Sequence, residues 1–219
     1  MKVLCIPDLH IPFENKQALD FVLEMVKKHR PQQIIQMGDF ADFYGFNMYG
    51  RDPEAITIND EIAELNEKVR LWEKYFPKMR VLTGNHENRL YRKLNMSDLS
   101  SSIVKSLEDI VGLENIKYEN VIEIDNVIFT HGTGSGGMYH AKNLAEKIGK
   151  SVVAGHTHSN LLAHYMNYNG NLRVGVNTGA LIDDDSRVFA YGAGFLRKAI
   201  PAITIIDTIT LNVIFERLI

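Results

Sequence analysis

Cysteine is nearly absent from this chain, and its scarcity excludes whole classes of chemistry. The single one, Cys5, leaves no internal disulfide framework and no cysteine-rich zinc site. It lies in the apolar run Val3-Leu4-Cys5-Ile6, the place of a small buried hydrophobe. Long hydrophobic runs are missing too. No stretch of about 18 apolar residues suggests a membrane span, and no basic region followed by an apolar stretch marks a secretory leader. A cytoplasmic location is therefore the expectation. Neither sign of charge is in large excess. Net charge is −3 with acids and bases interspersed, so no basic face advertises nucleic acid or an anionic membrane. The one local basic cluster, Arg89, Arg92 and Lys93, reads most simply as a solvated helix face.

What is present is ordinary globular material: 219 residues, 45% apolar and 23% charged, enough for one large domain with its own core. The first half alternates β-rich runs with helical segments. Strands are expected at Lys2–Pro7, Gln33–Met37 and Met79–Leu82, and helices at Lys16–His29, Asp60–Tyr75 and Ser97–Ile110. The connection over about residues 40–77 reads as a helical insertion. In the second half, Asp125-Asn126 and Asn169-Gly170 are hairpin turns joining Val121–Ile124 to Val127–Thr130 and Leu161–Tyr168 to Asn171–Val176. A helix over Tyr139–Ile148 precedes the apolar run Ser151–Ala154, and Ala202–Asp207 with Thr210–Phe215 forms a last hairpin. Parallel βαβ units followed by hairpins imply an α/β protein with stacked mixed sheets covered by helices, in a single domain over residues 1–219.

The polar residues fall in a pattern. Five apolar runs each end in a potential metal ligand: Asp8 and His10, Asp39, Asn85, His131, then His156 and His158. Ligands of open α/β sheets collect beyond the carboxyl ends of the strands, so these loops would converge. Any one of the residues has a plain structural use as a turn cap or a satisfied core histidine. Five strand ends finishing this way are hard to explain without a shared site, because polar groups at such edges need partners.

In order, the motifs are DLH, GD, GNHE, HG and GHTH, and as a set they resemble the calcineurin-like metallophosphoesterase superfamily. The resemblance implies a four-layer αββα sandwich, two mixed β-sheets flanked by helices, with a dinuclear metal centre at one sheet edge. It places Asp8, His10 and His158 on a first ion and Asn85, His131 and His156 on a second, with Asp39 bridging. His86 of GNHE becomes the proton donor to the leaving oxygen. Asp42, in GDFAD, resembles the aspartate that orients that histidine. Carboxylate, amide and imidazole ligands without thiolate suit manganese first, with iron, zinc, nickel or cobalt as alternatives. Two such ions about 3.5–4 Å apart acidify a bridging water and clamp phosphoryl oxygens.

The chain departs from the phosphoprotein phosphatase branch where arginines would grip phosphate, since Phe43 and Thr83 stand there. Arg89, Arg92 or backbone amides of the loop His131–Gly137 are left as candidates for that task. Phe40, Phe43, Tyr44, Phe46 and Tyr49, followed by Arg51, either stack a nucleobase beside the site or form the apolar underside of the insertion. Asp183-Asp184-Asp185 reads as a solvated turn. The expected activity is hydrolysis of a phosphomonoester or phosphodiester by a metal-bridging hydroxide, on a nucleotide or a nucleic-acid end. The alternatives are a nuclease on polymeric DNA or RNA, a serine/threonine protein phosphatase, and a non-catalytic protein-interaction scaffold.

Overall fold

A computed structural model describes residues 1–47, 56–97, 105–186, 188–189 and 196–219. Eleven strands among them form two sheets. The first runs β11 (Val213–Arg217), β10 (Ala202–Asp207), β1 (Lys2–Ile6), β2 (Gln33–Gln36), β3 (Arg80–Leu82) and β4 (Tyr118–Glu119). The second runs β5 (Val121–Ile124), β6 (Val127–Thr130), β7 (Ser151–Ala154), β9 (Asn171–Thr178) and β8 (Leu161–Tyr168). Both are mixed. Strands β1 to β4 pair in parallel while β10 runs antiparallel to β1. In the second sheet β6, β7 and β9 are parallel, and the hairpin partners β5 and β8 are antiparallel.

Strand alternation explains the layers. Val3 and Cys5 of β1 face inward and meet Val127, Phe129, Val153 and Val176 of the other sheet in one buried cluster. Leu4 and Ile6 face the opposite way. They pack under α1 (Ala18–His29) and α2 (Ile58–Tyr75), against Val22, Leu65 and Trp72. On the far side, Ala141 and Ala145 of α5 (His140–Ile148) cover Ile128 and Val152. The four layers αββα follow from these three clusters. A period of two along each strand lets one short segment serve two cores.

Local chemistry sets the boundaries. Asn169 and Gly170, with φ of 51° and 82°, and Asp125 and Asn126, with 47° and 71°, both supply the left-handed pairs that two-residue hairpins require. Thr57 caps α2, its hydroxyl accepting from the Asp60 N–H at 3.2 Å.

Two expectations are corrected. The stretch Ser97–Ile110 is not one helix in its described part. A helix α3 occupies Asn88–Met96 instead, Ser97 ends it, and α4 spans only Leu107–Val111 behind an N-capping Ser106; the rest of the stretch lies outside the described residues. The N-cap of α3, Glu87, closes the GNHE motif, and in the sequence the basic cluster Arg89, Arg92 and Lys93, read as a solvated helix face, was its signal. The last strand begins at Val213, since the Asp207 carboxylate takes the N–H groups of Ile209 and Thr210 and folds the preceding residues into a turn. Of the two readings for the aromatics after Asp39, the apolar underside of the insertion holds for Phe40 and Phe43. Phe40 and Phe43 are fully buried beside Leu65 and Trp72 of α2, while Tyr49 and Arg51 lie outside the described residues. Among the described residues, no helix is long and apolar enough to cross a membrane.

Candidate metal centre

Strands β1, β2 and β3 are parallel, as are β6 and β7, so the loops after them leave the sandwich at one edge. There the chain gives up strand geometry. His10, Asp39 and His156 all adopt positive φ, at 52°, 47° and 69°, a conformation that costs a non-glycine residue about 1 kcal/mol or more. Gly84 and Gly155 make room for the turn. A Cβ on Gly84 would lie 2.1 Å from Asp39 Oδ1, and one on Gly155 would lie 2.7 Å from Asp8 Oδ1.

The loops bring together all seven residues named as ligands. Asp8, His10, Asp39 and His158 present donor atoms within 4.8 Å of one another, and so do Asp39, His131 and His156. Asp39 belongs to both groups. Asn85 joins the second, its Oδ1 lying 3.0 Å from His131 Nε2. Asp8, His10, Asp39 and His131 are buried.

This donor set is short of positive charge, and that is the test of whether cations fit. His10 Nδ1 donates to Asp42 Oδ1 at 2.6 Å and His131 Nδ1 donates to the Met37 carbonyl at 3.0 Å. Each bond fixes the tautomer and turns Nε2 toward Asp39. His131 Nε2 then faces two acceptors, Asp39 Oδ2 at 3.2 Å and Asn85 Oδ1. Only a proton or a cation can reconcile them. Burial pushes the His131 imidazole down, but Asp39 and Asp8 outweigh it and carry the pKa up to about 10. The same contest holds the Asp39 carboxyl well below the usual range: burial opposes ionisation, and His131 and His86 override it. In the other group His10 Nε2 and His158 Nε2 are 3.2 Å apart, with Asp8 Oδ2 3.0 Å from the latter. Burial and the neighbouring His86 push His10 down to about 4, so its Nε2 is a free lone pair at neutral pH. The proton on His131 stands where a divalent ion fits.

Beside this centre Asp42 Oδ1 also accepts from His86 Nδ1 at 2.9 Å, and the Asp42 carbonyl lies at the same distance. His10, Asp42 and His86 form a third compact group. Its carboxylate is already committed to two imidazole N–H groups, so it orients rather than ligates. Burial opposes the Asp42 charge, yet the His86 charge and the bond from His10 hold its carboxyl far below the ordinary range. The His86 imidazole is raised despite burial, because Asp39 and Asp42 outweigh it.

Arg89 donates to His86 Nε2 at 2.9 Å and to both the Asp42 carbonyl and its carboxylate. Arg92 donates to the Asn85 carbonyl. Neither lines the cavity of about 430 Å³ over the site, whose wall includes Asp39, Asn85, His86, His156 and His158. Gly137, from the glycine-rich loop, reaches that wall.

A comparison with known proteins now has a geometry to meet. The family model for the calcineurin-like phosphoesterase matches residues 1–170. The chain belongs to this family. Relatives at lower similarity include the Gene 54 proteins of Mycobacterium phages D29 and L5, each 22% identical over 200 residues, covering 79% of this chain and 75% of theirs. Among solved structures, a metallophosphoesterase from Sphaerobacter thermophilus aligns over 100% of this chain and 88% of its own, at TM-score 0.49 and 16% identity. The phosphoesterase Yfce from E. coli aligns over 100% of both chains at TM-score 0.44 and 16% identity. Vacuolar Protein Sorting 29 from Cryptosporidium parvum aligns over 99% and 97% at TM-score 0.47 and 15% identity. This calcineurin-like chain is a metal-dependent hydrolase acting on phosphoesters.

The sequence reading gave no role to Glu87. It is fully buried and accepts from the N–H groups of Asp39 (3.2 Å), Ala41 (2.9 Å) and Gly84 (2.8 Å), pinning two ligand loops together. Its position inside GNHE was the available signal. Arg197 and Lys198, which also line the cavity, sit in no motif and gave none, whereas Asp184, read from the sequence as part of a solvated turn, lines it too.

Proposed function

We propose that the phosphoesterase acts through two divalent ions, one held by Asp8, His10 and His158, the other by Asn85, His131 and His156, with Asp39 shared. Its substrate is a small phosphomonoester or phosphodiester, a nucleotide or a nucleic-acid end. The observation that carries the reading is that one buried carboxylate, Asp39, belongs to two donor groups at once. Divalent ions bound there would supply an acidified water as nucleophile and positive charge for the phosphoryl oxygens.

The chain's own residues do the rest. Asp42 accepts a hydrogen bond from the Nδ1–H of His10, which leaves His10 Nε2 for ligation, and it accepts one from the Nδ1–H of His86 as well. His86 lines the cavity, and its Nε2 is the atom that would hand a proton to the departing oxygen. An imidazole serves this purpose near neutral pH. Arg89 donates to that nitrogen in the structure, so proton donation by His86 would require that bond to be released. Arg92 braces Asn85 through the main-chain carbonyl.

The test is hydrolysis of p-nitrophenyl phosphate and bis-p-nitrophenyl phosphate by manganese-reconstituted protein, with Asp39→Asn as control. Metal-dependent turnover of at least one, abolished in the variant, is the expected result. Preference for the monoester places the substrate among nucleotides, and preference for the diester places it among nucleic-acid ends. Silence on both by metal-loaded protein would overturn the proposal.

A further inference from the structure

Three of the four basic side chains closest to this chemistry have partners. Arg89 is bonded to Asp42 and His86, Arg92 to the Asn85 carbonyl, and Lys198 makes a further contact. Arg197 is different. It lines the same cavity as His86 and the metal-site histidines, it is exposed, and among the described residues it makes no hydrogen bond or ion pair.

The backbone that carries Arg197 is anchored nonetheless. The Ile200 N–H donates to the carbonyl of His158, a residue of the metal site, at 2.9 Å. The Ala199 N–H donates to Asp184 Oδ2 at 2.7 Å, and the Ala180 N–H to the Ile200 carbonyl at 3.1 Å. The residues that follow Arg197 are thus tied to the metal-site loop, and the arginine itself lines the cavity beside it. A pocket of about 430 Å³ falls in the usual range for nucleotide-sized ligands, roughly 300–1,000 Å³. The ions would neutralise the phosphoryl group being transferred. Arg197 lies outside both donor groups, so its guanidinium is left for a different anionic group, and its planar fork matches phosphate oxygens in pairs.

We propose that Arg197 is the specificity-determining residue that grips a second phosphate on the leaving part of the substrate. The preferred substrates are then compounds with two phosphates in reach of one another, such as a nucleoside diphosphate, over simple monoesters. This deepens the proposed function and rests on the metal centre described above.

The experiment uses metal-loaded full-length protein, wild type, Arg197→Ala and Arg197→Lys. Binding of inorganic orthophosphate and pyrophosphate is measured by calorimetry, and hydrolysis of p-nitrophenyl phosphate and ADP by initial rates. Wild type should bind pyrophosphate more tightly than orthophosphate. Arg197→Ala should weaken pyrophosphate about 10- to 100-fold, the effect of losing a charge-assisted bond, and raise KM for ADP in proportion. Orthophosphate binding and p-nitrophenyl phosphate turnover should stay within about twofold, with Arg197→Lys intermediate. Equal loss for both anions, no loss for either, or no wild-type preference for pyrophosphate would each overturn the role of Arg197. Failure of wild type to turn over p-nitrophenyl phosphate and ADP at all would overturn the phosphoesterase reading itself.

Discussion

Replacing Asp42 by asparagine separates orientation from ligation in this site. The side chain keeps its size but loses its charge and offers one carbonyl oxygen in place of two carboxylate oxygens. In the native site Asp42 Oδ1 accepts from His10 Nδ1 at 2.6 Å and from His86 Nδ1 at 2.9 Å. Each is a bond to a group that carries or gains positive charge, worth about 1.5–3 kcal/mol. Loss of the His86 bond alone therefore predicts a fall in kcat of about 10- to 160-fold, at about 1.4 kcal/mol per decade. The His10 bond acts on ion affinity instead, by about 10- to 100-fold, so rates must be read at saturating metal.

The pH profile should move as well. Asp42 is one of the charges that raise the His86 imidazole. Its removal lowers that pKa, and the protonated donor disappears at lower pH. The alkaline limb of kcat then shifts toward acid. Substrates with poor leaving groups, which need the proton most, should suffer more than p-nitrophenyl phosphate. A variant with native kcat, native pH profile and no leaving-group dependence would refute the assignment of Asp42 and His86.

Other consequences are equally direct. Gly84→Ala drives a Cβ to 2.1 Å from Asp39 Oδ1, whereas at Gly136 an added Cβ meets nothing within 4 Å; metal content should collapse in the first variant and stay native in the second. Glu87→Ala strands three backbone donors, at about 1 kcal/mol or more each, so metal-free protein should melt roughly 6–12 °C lower, and an unchanged Tm would contradict the pinning role. Because His131 is protonated up to about pH 10 without an ion, metal binding at pH 8 should release about one proton or more, and affinity should climb with pH. Titration in weak buffer with no proton release would show that His131 is not a ligand.

The layers and most strands were legible because their signals are local. Alternating β-branched runs and Asn-Gly or Asp-Asn turns state their conformation within a few residues, and β5 through β9 follow them closely. The candidate ligands were legible for a different reason: each follows an apolar run directly, so the parallel topology carries them to one edge. Elements without such local signals escaped. Helix α3 starts directly after the GNHE motif, with only the Arg89, Arg92 and Lys93 cluster to announce it, and β4 is two residues long and exists through its pairing with β3. Arg197 escaped because its place is set by Ile200 bonding to the His158 carbonyl, a contact between segments far apart in sequence. Phe40 and Phe43 show the converse case. Their composition permitted a stacking surface, and only the position of α2 buries them.

The central claim is that Asp39 joins two cation sites rather than completing one. Metal content of purified, manganese-reconstituted protein, measured by elemental analysis on wild type and His156→Ala, tests it most directly. Two ions per chain in the wild type and one in the variant are the predicted result. One ion in both proteins, or none in either, would contradict it.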